Sequence, residues 1–263
     1  VQRNWVIMSN IHVDVYGGGV FSKILLIFQN LEMNPSINID DIDNIFLNNL
    51  HPFVRADINP FNFLYEQKSI APDATILCQS MPPYTDHIPD HILQRFKKIE
   101  SKLKINSKLQ AKIDKALNSL NLTDKTIGVH IRLTDMDRHH GSDYGRKSFE
   151  DYVYKINLAL NEEHDKIFIA SDNVESIEKM QKIYGDKIIF YSELMRPHSE
   201  TADANGVGNE GFQLDHFNEE EFWHDSFIDM FLLSKCGSMI HRVSNLSNAA
   251  KIYSNTFKKT TII

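Results

Sequence analysis

A chain of 263 residues, 42% of them hydrophobic, has room for one large or two small domains with a sizeable core. Its formal net charge of −7 excludes a broad phosphate-backbone footprint on nucleic acid. Cys78 and Cys236 lie too far apart to form a metal-ligand pair, and two cysteines build no disulfide framework, which fits a reducing compartment. No segment approaches the roughly 18 apolar residues of a membrane helix, and no basic stretch leads into a short apolar run as in a signal peptide. The chain starts at Val1 rather than Met, so an upstream targeting segment could have been removed; a soluble chain compatible with the cytoplasm is expected. The twelve histidines are scattered and read mostly as surface or helix-end residues.

Residues 5–8 and 11–15 read as a strand running into the turn Tyr16-Gly17-Gly18-Gly19, and apolar periodicity predicts a helix over 20–31. Strand, glycine-rich turn and helix N-terminus form a common phosphate cradle, because glycine admits close backbone approach and the helix end carries partial positive charge. The stretch GGGVFSKI fails as a P-loop, since Ser22 and Ile24 stand where Gly and Ser/Thr are required, and it is no dinucleotide fingerprint. A ligand contact from Gly17, Gly18 and Gly19 and a purely structural turn both stay open. Residues 38–50 hold a short strand or helix, 52–60 a loop, and Phe61, Phe63 and Leu64 an aromatic cluster of the core. Residues 74–78 predict a short strand, and the proline-rich 80–89 a loop. Residues 91–120 read as helix in two pieces broken near Asn106-Ser107, the interleaved lysines forming a solvated face.

From Thr126 the pattern becomes regular. Strands are predicted at 127–132, 166–170, 187–191 and 238–241, and helices at 149–161, 174–184, 222–233 and 247–254. A polar loop with three glycines spans 198–211. Alternating strands and helices imply a parallel sheet covered on both faces. The expected division is a smaller N-terminal α/β lobe, residues 1–105, and a Rossmann-like C-terminal lobe, residues 106–263.

The candidate chemistry centres on TIGVHIRLTD, residues 126–135. A buried strand ends there in a loop, and ligands of open α/β sheets sit beyond the carboxyl ends of strands. Arg132 stands at that edge, ahead of an acidic, histidine-rich loop. Its planar fork suits a phosphate, donating two parallel hydrogen bonds. The alternative is simple pairing with Asp135 or another carboxylate.

Four segments occur in the order in which the core α1,6-fucosyltransferases and nodulation fucosyltransferases carry them: IGVHIRLTD at Ile127, SFEDYV at Ser148, IFIASDN at Ile167 and DMFLLSKCGSMIHRVSNLSNAA at Asp229. Residues 126–255 therefore resemble the fucosyltransferase superfamily of GT-B type, which includes the protein O-fucosyltransferases. The N-terminal half matches only in its glycine turn. The resemblance implies two Rossmann-like lobes facing a cleft, with the N-terminal lobe on the acceptor side, and sugar transfer from a nucleotide sugar without a required metal or other cofactor. It places Arg132 on the donor diphosphate, with His130 beside it on the same strand. Asp172 falls near the nucleotide, Asp229 at an acid linked to base recognition, and Ser244, Asn245 and Ser247 in a phosphate-side serine loop. Tyr152 falls on a family tyrosine. Four departures surround the donor. Leu133 replaces a second arginine, and Met136 replaces a lysine for which Arg138 could substitute. Asp143 stands where the family has a glutamate, in a loop three residues longer, and Asn173 replaces a second acid. GDP-fucose is the expected donor, with a UDP-sugar such as a UDP-pentose (xylose) as the alternative.

The expected reaction is a single displacement at an oxocarbenium-like anomeric carbon. Arg132, backbone N–H groups near 244–247 and the Gly17–Gly19 turn would stabilise the charge growing on the leaving diphosphate. A carboxylate or histidine would take the acceptor's proton. Asp143 is the first candidate, followed by Asp135, Asp137, His139 and His140. The acceptor is expected to be a glycan or protein hydroxyl, with no nucleic acid and no membrane span. Two other classes compete with this reading. A metal-dependent hydrolase could use His130, His139, His140 and Asp143, but His130 alternates with apolar strand residues and adjacent histidines rarely face one ion. A non-catalytic glycan-binding module needs no diphosphate clamp.

Overall fold

The structure is a computed structural model that describes residues 10–15, 20–33, 44–49, 61–66, 75–78, 88–132, 148–160, 164–194 and 219–263. The chain divides into two compact units, Val1–Gln110 and Ala111–Ile263.

In the first unit, β1 (Asn10–Val15) is the middle strand of a three-stranded sheet ordered β2-β1-β3, with β2 at Asn44–Asn49 and β3 at Thr75–Cys78. Both pairings are parallel, Ile11 lying opposite Ile45 and Thr75. Residues 38–50, open between strand and helix from sequence, thus contain a strand. Helix α1 (Val20–Met33) crosses from β1 to β2, two residues longer than expected at its end. Ile24, Leu25, Ile27, Phe28 and Leu31 are fully buried, and so nearly are Lys23, Gln29 and Asn30. A helix enclosed on every side must satisfy its own polar groups. Asn30 does so in part, donating from Nδ2 to the Leu26 carbonyl at 2.9 Å.

Phe61 and Leu64 lie in the short helix α2 (Phe61–Leu64) and are fully buried, as the core reading required. Helix α3 (Asp90–Glu100) buries Ile92, Phe96 and Ile99, one helical stripe, and Phe96 packs on Phe28 with ring centroids 5.7 Å apart. Asp90 in its first turn and Lys97 and Lys98 in its last suit the helix dipole. The chain breaks at 101–106 before α4 (Ser107–Leu120). Asn106 sets the break: Oδ1 accepts from the Lys108 N–H at 2.9 Å, while Nδ2 donates to the Asn62 carbonyl.

The second unit is built on β4 (Thr126–Ile131), every residue of which is buried. Strands β5 (Lys166–Ser171), β6 (Ile188–Ile189), β7 (Ser238–His241) and β8 (Lys259–Ile262) complete a sheet ordered β6-β5-β4-β7-β8. All four pairings are parallel. On one face Ile127, Val129, Ile131, Ile167, Ile169 and Ile240 pack with Tyr152 and Ile156 of α5 (Phe149–Leu160) and Ile177 and Met180 of α6 (Val174–Tyr184). Truncating one such side chain to alanine costs roughly 2–5 kcal/mol. The other face meets α7 (Glu219–Leu233), which packs in turn on α8 (Asn245–Tyr253), Phe227 and Tyr253 making an edge-on contact at 5.5 Å.

Two glycines permit the close approaches on this face. A Cβ on Gly128 would lie 3.0 Å from Leu233 Cδ2 and 3.1 Å from Cys236 Sγ, and one on Gly237 only 1.8 Å from the Asp124 carbonyl oxygen. Cys236 is fully buried, and burial pushes its thiol pKa up, so it is an inert core group.

Several expectations need correction. The strand expected at 187–191 is only Ile188–Ile189, because Gly185, at φ 55°, ends α6 and a 3-10 turn follows at Gly185–Lys187. Helix α7 begins at Glu219, three residues earlier than expected, its acidic first residues favoured by the dipole. Helix α8 runs Asn245–Tyr253 rather than 247–254. Strand β8 was not foreseen. It pairs β7 through its backbone and is mostly exposed, so its sequence carries no apolar alternation. His130, His224 and His241 are buried, among the exceptions that the mostly surface placement of the histidines left room for. Among the described residues, no helix is long and apolar enough to cross a membrane.

Candidate active site

Strands β4, β5 and β6 step outward in one direction, and β7 and β8 follow on the other side of β4. The order therefore reverses between β4 and β7, and the crevice beyond their carboxyl ends is the position where such sheets take ligands. Register fixes what stands there. Ile131 lies opposite Ser171 and His130 opposite His241, so Arg132 and Asp172 leave their strands side by side and Arg242 leaves β7 one residue earlier, level with Ile131.

The segment after β7 is held by a closed set of hydrogen bonds. Ser244 Oγ accepts from the Ser247 N–H at 3.1 Å, and Ser247 Oγ accepts from the Ser244 N–H at 3.1 Å, a reciprocal capping box on α8. Ser247 Oγ also lies 3.2 Å from the Arg242 carbonyl and 2.9 Å from that of Ser244. Ser247 is fully buried, so its role is to shape this turn. The first N–H groups of α8, on Asn245 and Leu246, have no partner inside the helix and carry the positive end of its dipole. The half-buried Asn245 opens the helix. His130, 4% exposed, brings Nδ1 to 3.3 Å from Ser244 Oγ and so ties β4 to this turn.

Asp172 and Asn173 follow β5. Asn173 Oδ1 accepts from the Ser176 N–H at 2.9 Å and caps α6, so the position without an acid serves the helix start. Tyr152 reaches the same edge from below and is fully buried. Burial pushes its phenol up to about 12. The Arg132 backbone N–H and the Arg242 charge pull against that shift, and Asp172 and Asp151 add to it. The hydroxyl thus feels the charges of Arg242 and Asp172 but makes no hydrogen bond of good geometry. It forms a neutral wall under the crevice. Asp229 is buried in α7, which packs against β4 and β5 on the side that carries His130.

Three residues escaped the sequence reading: His241 and Arg242 at this edge, and Lys251 in the last turn of α8. Arg242 is 5% exposed and His241 fully buried. His241 Nδ1 must donate to the Arg242 carbonyl at 2.9 Å, because a carbonyl only accepts, which leaves Nε2 as the lone-pair nitrogen. Its pKa is lowered to about 3, first by burial and then by the Lys251 charge. Burial pulls Lys251 itself down to about 8. The signal was present: Arg242 breaks an apolar strand just before a capping box, as Arg132 breaks β4 before its loop.

Gly17, Gly18, Gly19, Asp135, Asp137, His139, His140 and Asp143 lie outside the described residues. Among the described residues, no cluster of three or more His, Cys, Asp or Glu side chains could hold a metal ion.

No protein-family model matches the sequence, and no curated protein matches it. Solved structures do match. A structure of the α1,6-fucosyltransferase NodZ soaked with GDP-fucose aligns over 93% of this chain and 93% of its own, at 14% identity and a TM-score of 0.54. NodZ from Bradyrhizobium aligns over 93% and 94%, at 14% identity and 0.51. A mutant of FUT1 from Arabidopsis thaliana in complex with GDP aligns over 95% of this chain and 70% of its own, at 11% identity and 0.58. The chain has the fold of these fucosyltransferases. The GT-B-like architecture expected from the four ordered segments is the one observed, and the alignment also takes in the N-terminal half, where the sequence offered only a glycine turn.

Proposed function

We propose that this chain is an inverting, metal-independent glycosyltransferase that moves a sugar from a nucleoside diphosphate to a hydroxyl of a glycan or protein. The observation that carries this reading is the convergence of Arg132 and the capped N-terminus of α8 at the switch point between β4 and β7. Two sources of positive potential at one edge of the sheet suit a diphosphate leaving group. The C-terminal lobe, 106–263, is the donor side and the N-terminal lobe, 1–105, the acceptor side.

As the bond between the anomeric carbon and the diphosphate oxygen breaks, its electron pair stays on the diphosphate. Arg132 and the Asn245 and Leu246 N–H groups stabilise that charge. The acceptor oxygen attacks the opposite face, and its proton passes to a carboxylate, with Asp143 as first candidate and Asp135 behind it. His130, Asp172 and Asp229 serve the nucleotide from the edges of β4, β5 and α7. Gly17, Gly18 and Gly19 are further donor contacts in this reading.

GDP-fucose is the first donor, supported by the NodZ structure soaked with GDP-fucose and the FUT1 structure in complex with GDP. A UDP-pentose donor is the second reading, favoured by Leu133 and Met136 standing where the resembling enzymes carry positive charge. A panel of nucleotide sugars, scored for thermal stabilisation and donor hydrolysis with and without EDTA, decides between them. Stabilisation by GDP-fucose that EDTA leaves unchanged is expected. No response to any nucleotide sugar would leave a non-catalytic module, and loss of turnover in EDTA would restore a metal enzyme.

A further inference from the structure

We infer that Arg242 is a second phosphate-binding arginine, placed on β7 so that the diphosphate is gripped from both strands that flank the switch point. The inference rests on the donor reading above and adds a residue to it.

The placement follows from the pleat. Val129 lies opposite Ile240, and both belong to the core on the α5 side of the sheet. Arg242, two residues beyond Ile240, carries that face past the end of β7. Arg132, two residues beyond His130, carries the opposite face past the end of β4. The two guanidinium groups therefore approach the crevice from opposite sides of the sheet. Tyr152, which covers β4 and β7 from the α5 side, feels the charge of Arg242, in agreement with that side.

The chemistry asks for two cations. A nucleoside diphosphate ester carries a negative charge on each phosphate, and the leaving group gains a further one as the sugar departs. One arginine fork matches one phosphate. Leu133 follows Arg132 and offers no second charge. Holding a cationic side chain at 5% exposure is costly unless charge of the opposite sign meets it. Asp172 carries one such charge, at the end of β5 two strands away, and a bound phosphate would provide a stronger one. Arg242 is also fixed by its own backbone. Its carbonyl accepts from His241 Nδ1 and lies 3.2 Å from Ser247 Oγ, so the side chain starts from a locked position beside the α8 N-terminus. Such preorganisation favours charge stabilisation without rearrangement.

The test compares binding of GDP, UDP and GMP to the whole chain by calorimetry, in the wild type and in Arg242→Met and Arg242→Lys. The wild type is expected to bind a nucleoside diphosphate more tightly than GMP. Arg242→Met should weaken diphosphate binding about 10- to 100-fold and GMP binding far less, so that the preference for diphosphate collapses. Arg242→Lys should fall between them, because it keeps the charge and loses the fork. A folded Arg242→Met chain with an unchanged diphosphate-to-monophosphate ratio overturns the inference while leaving the donor reading intact. A wild type that binds neither GDP nor UDP overturns the donor reading itself. A structure of the unaltered chain with GDP decides the matter independently of variant folding. An Arg242 nitrogen about 3 Å from a phosphate oxygen is expected, and a guanidinium turned wholly onto Asp172 overturns it.

Discussion

His130 and Ser244 meet across 114 residues of sequence, Nδ1 to Oγ at 3.3 Å, and so join the strand that delivers Arg132 to the turn that starts α8. The same Ser244 oxygen caps that helix. Alignment of the strand-end arginine with the helix N-terminus is thus built into buried hydrogen bonds within the chain. A site preorganised in this way spends little binding energy on ordering itself.

Ser244→Ala removes both the cap and the link to His130. It should lower unfolding free energy by about 1–2 kcal/mol, read from the urea midpoint, and weaken donor binding. Ser244→Thr should retain most of both. An alanine variant as stable as the wild type would show that the capping box is ornamental.

Arg132→Ala should lower turnover with the correct nucleotide sugar by at least ~100-fold, the scale set by loss of one preorganised donor to a developing anion. Its circular dichroism should match the wild type. Near-normal turnover would sink the assignment of Arg132 to the leaving group.

Asp143→Asn tests the proposed base. Single-turnover transfer should slow by about 100-fold or more, with donor affinity within a few-fold. If the chemical step is unaltered, the proton goes elsewhere, and Asp135 is the next residue to replace.

Gly237→Ala should destabilise the fold by more than about 2 kcal/mol, because its Cβ would sit 1.8 Å from a backbone oxygen that cannot rotate away. Gly128→Ala, which meets side-chain atoms at 3.0–3.2 Å, should cost less. Comparing the two in guanidinium tests the rank order, and an equal or reversed order contradicts the packing described.

His241 links stability to pH. Its folded pKa, about 3, lies below the ordinary 6.5 because burial and the Lys251 charge oppose protonation. Above pH 6.5 the ring is neutral folded or unfolded, and its full contribution is present. As pH falls from 6.5 towards 3 the unfolded chain takes the proton first, and stability declines by up to about 1.4 kcal/mol per pH unit. His241→Gln should flatten the profile of urea midpoint against pH between 6 and 4. Parallel profiles for variant and wild type would remove His241 from the account.

Local chemistry was legible where local chemistry decides. Helix α6 was read at both ends because Asn173 caps it and Gly185 stops it. Arg132 was legible because a charged residue ended a buried strand. Strand β8 was not, since it is an exposed edge defined by backbone pairing to β7 rather than by apolar alternation. Arg242 stayed hidden for a different reason. Its importance depends on which strand lies beside β4, and that neighbour comes from far along the chain. The burial of His130 and His241 is likewise a product of register, which composition does not carry.

The central place of β4 bears on how the molecule is made. One edge of that strand is paired by β5, which follows after a single described helix, and the other by β7, which begins only at Ser238. A ribosome therefore releases β4 and β5 long before β7 exists, and for that interval an apolar strand keeps one open edge. Open edges recruit strands from neighbouring chains. Native pairing therefore requires β7 to reach that edge before a strand of a neighbouring chain does.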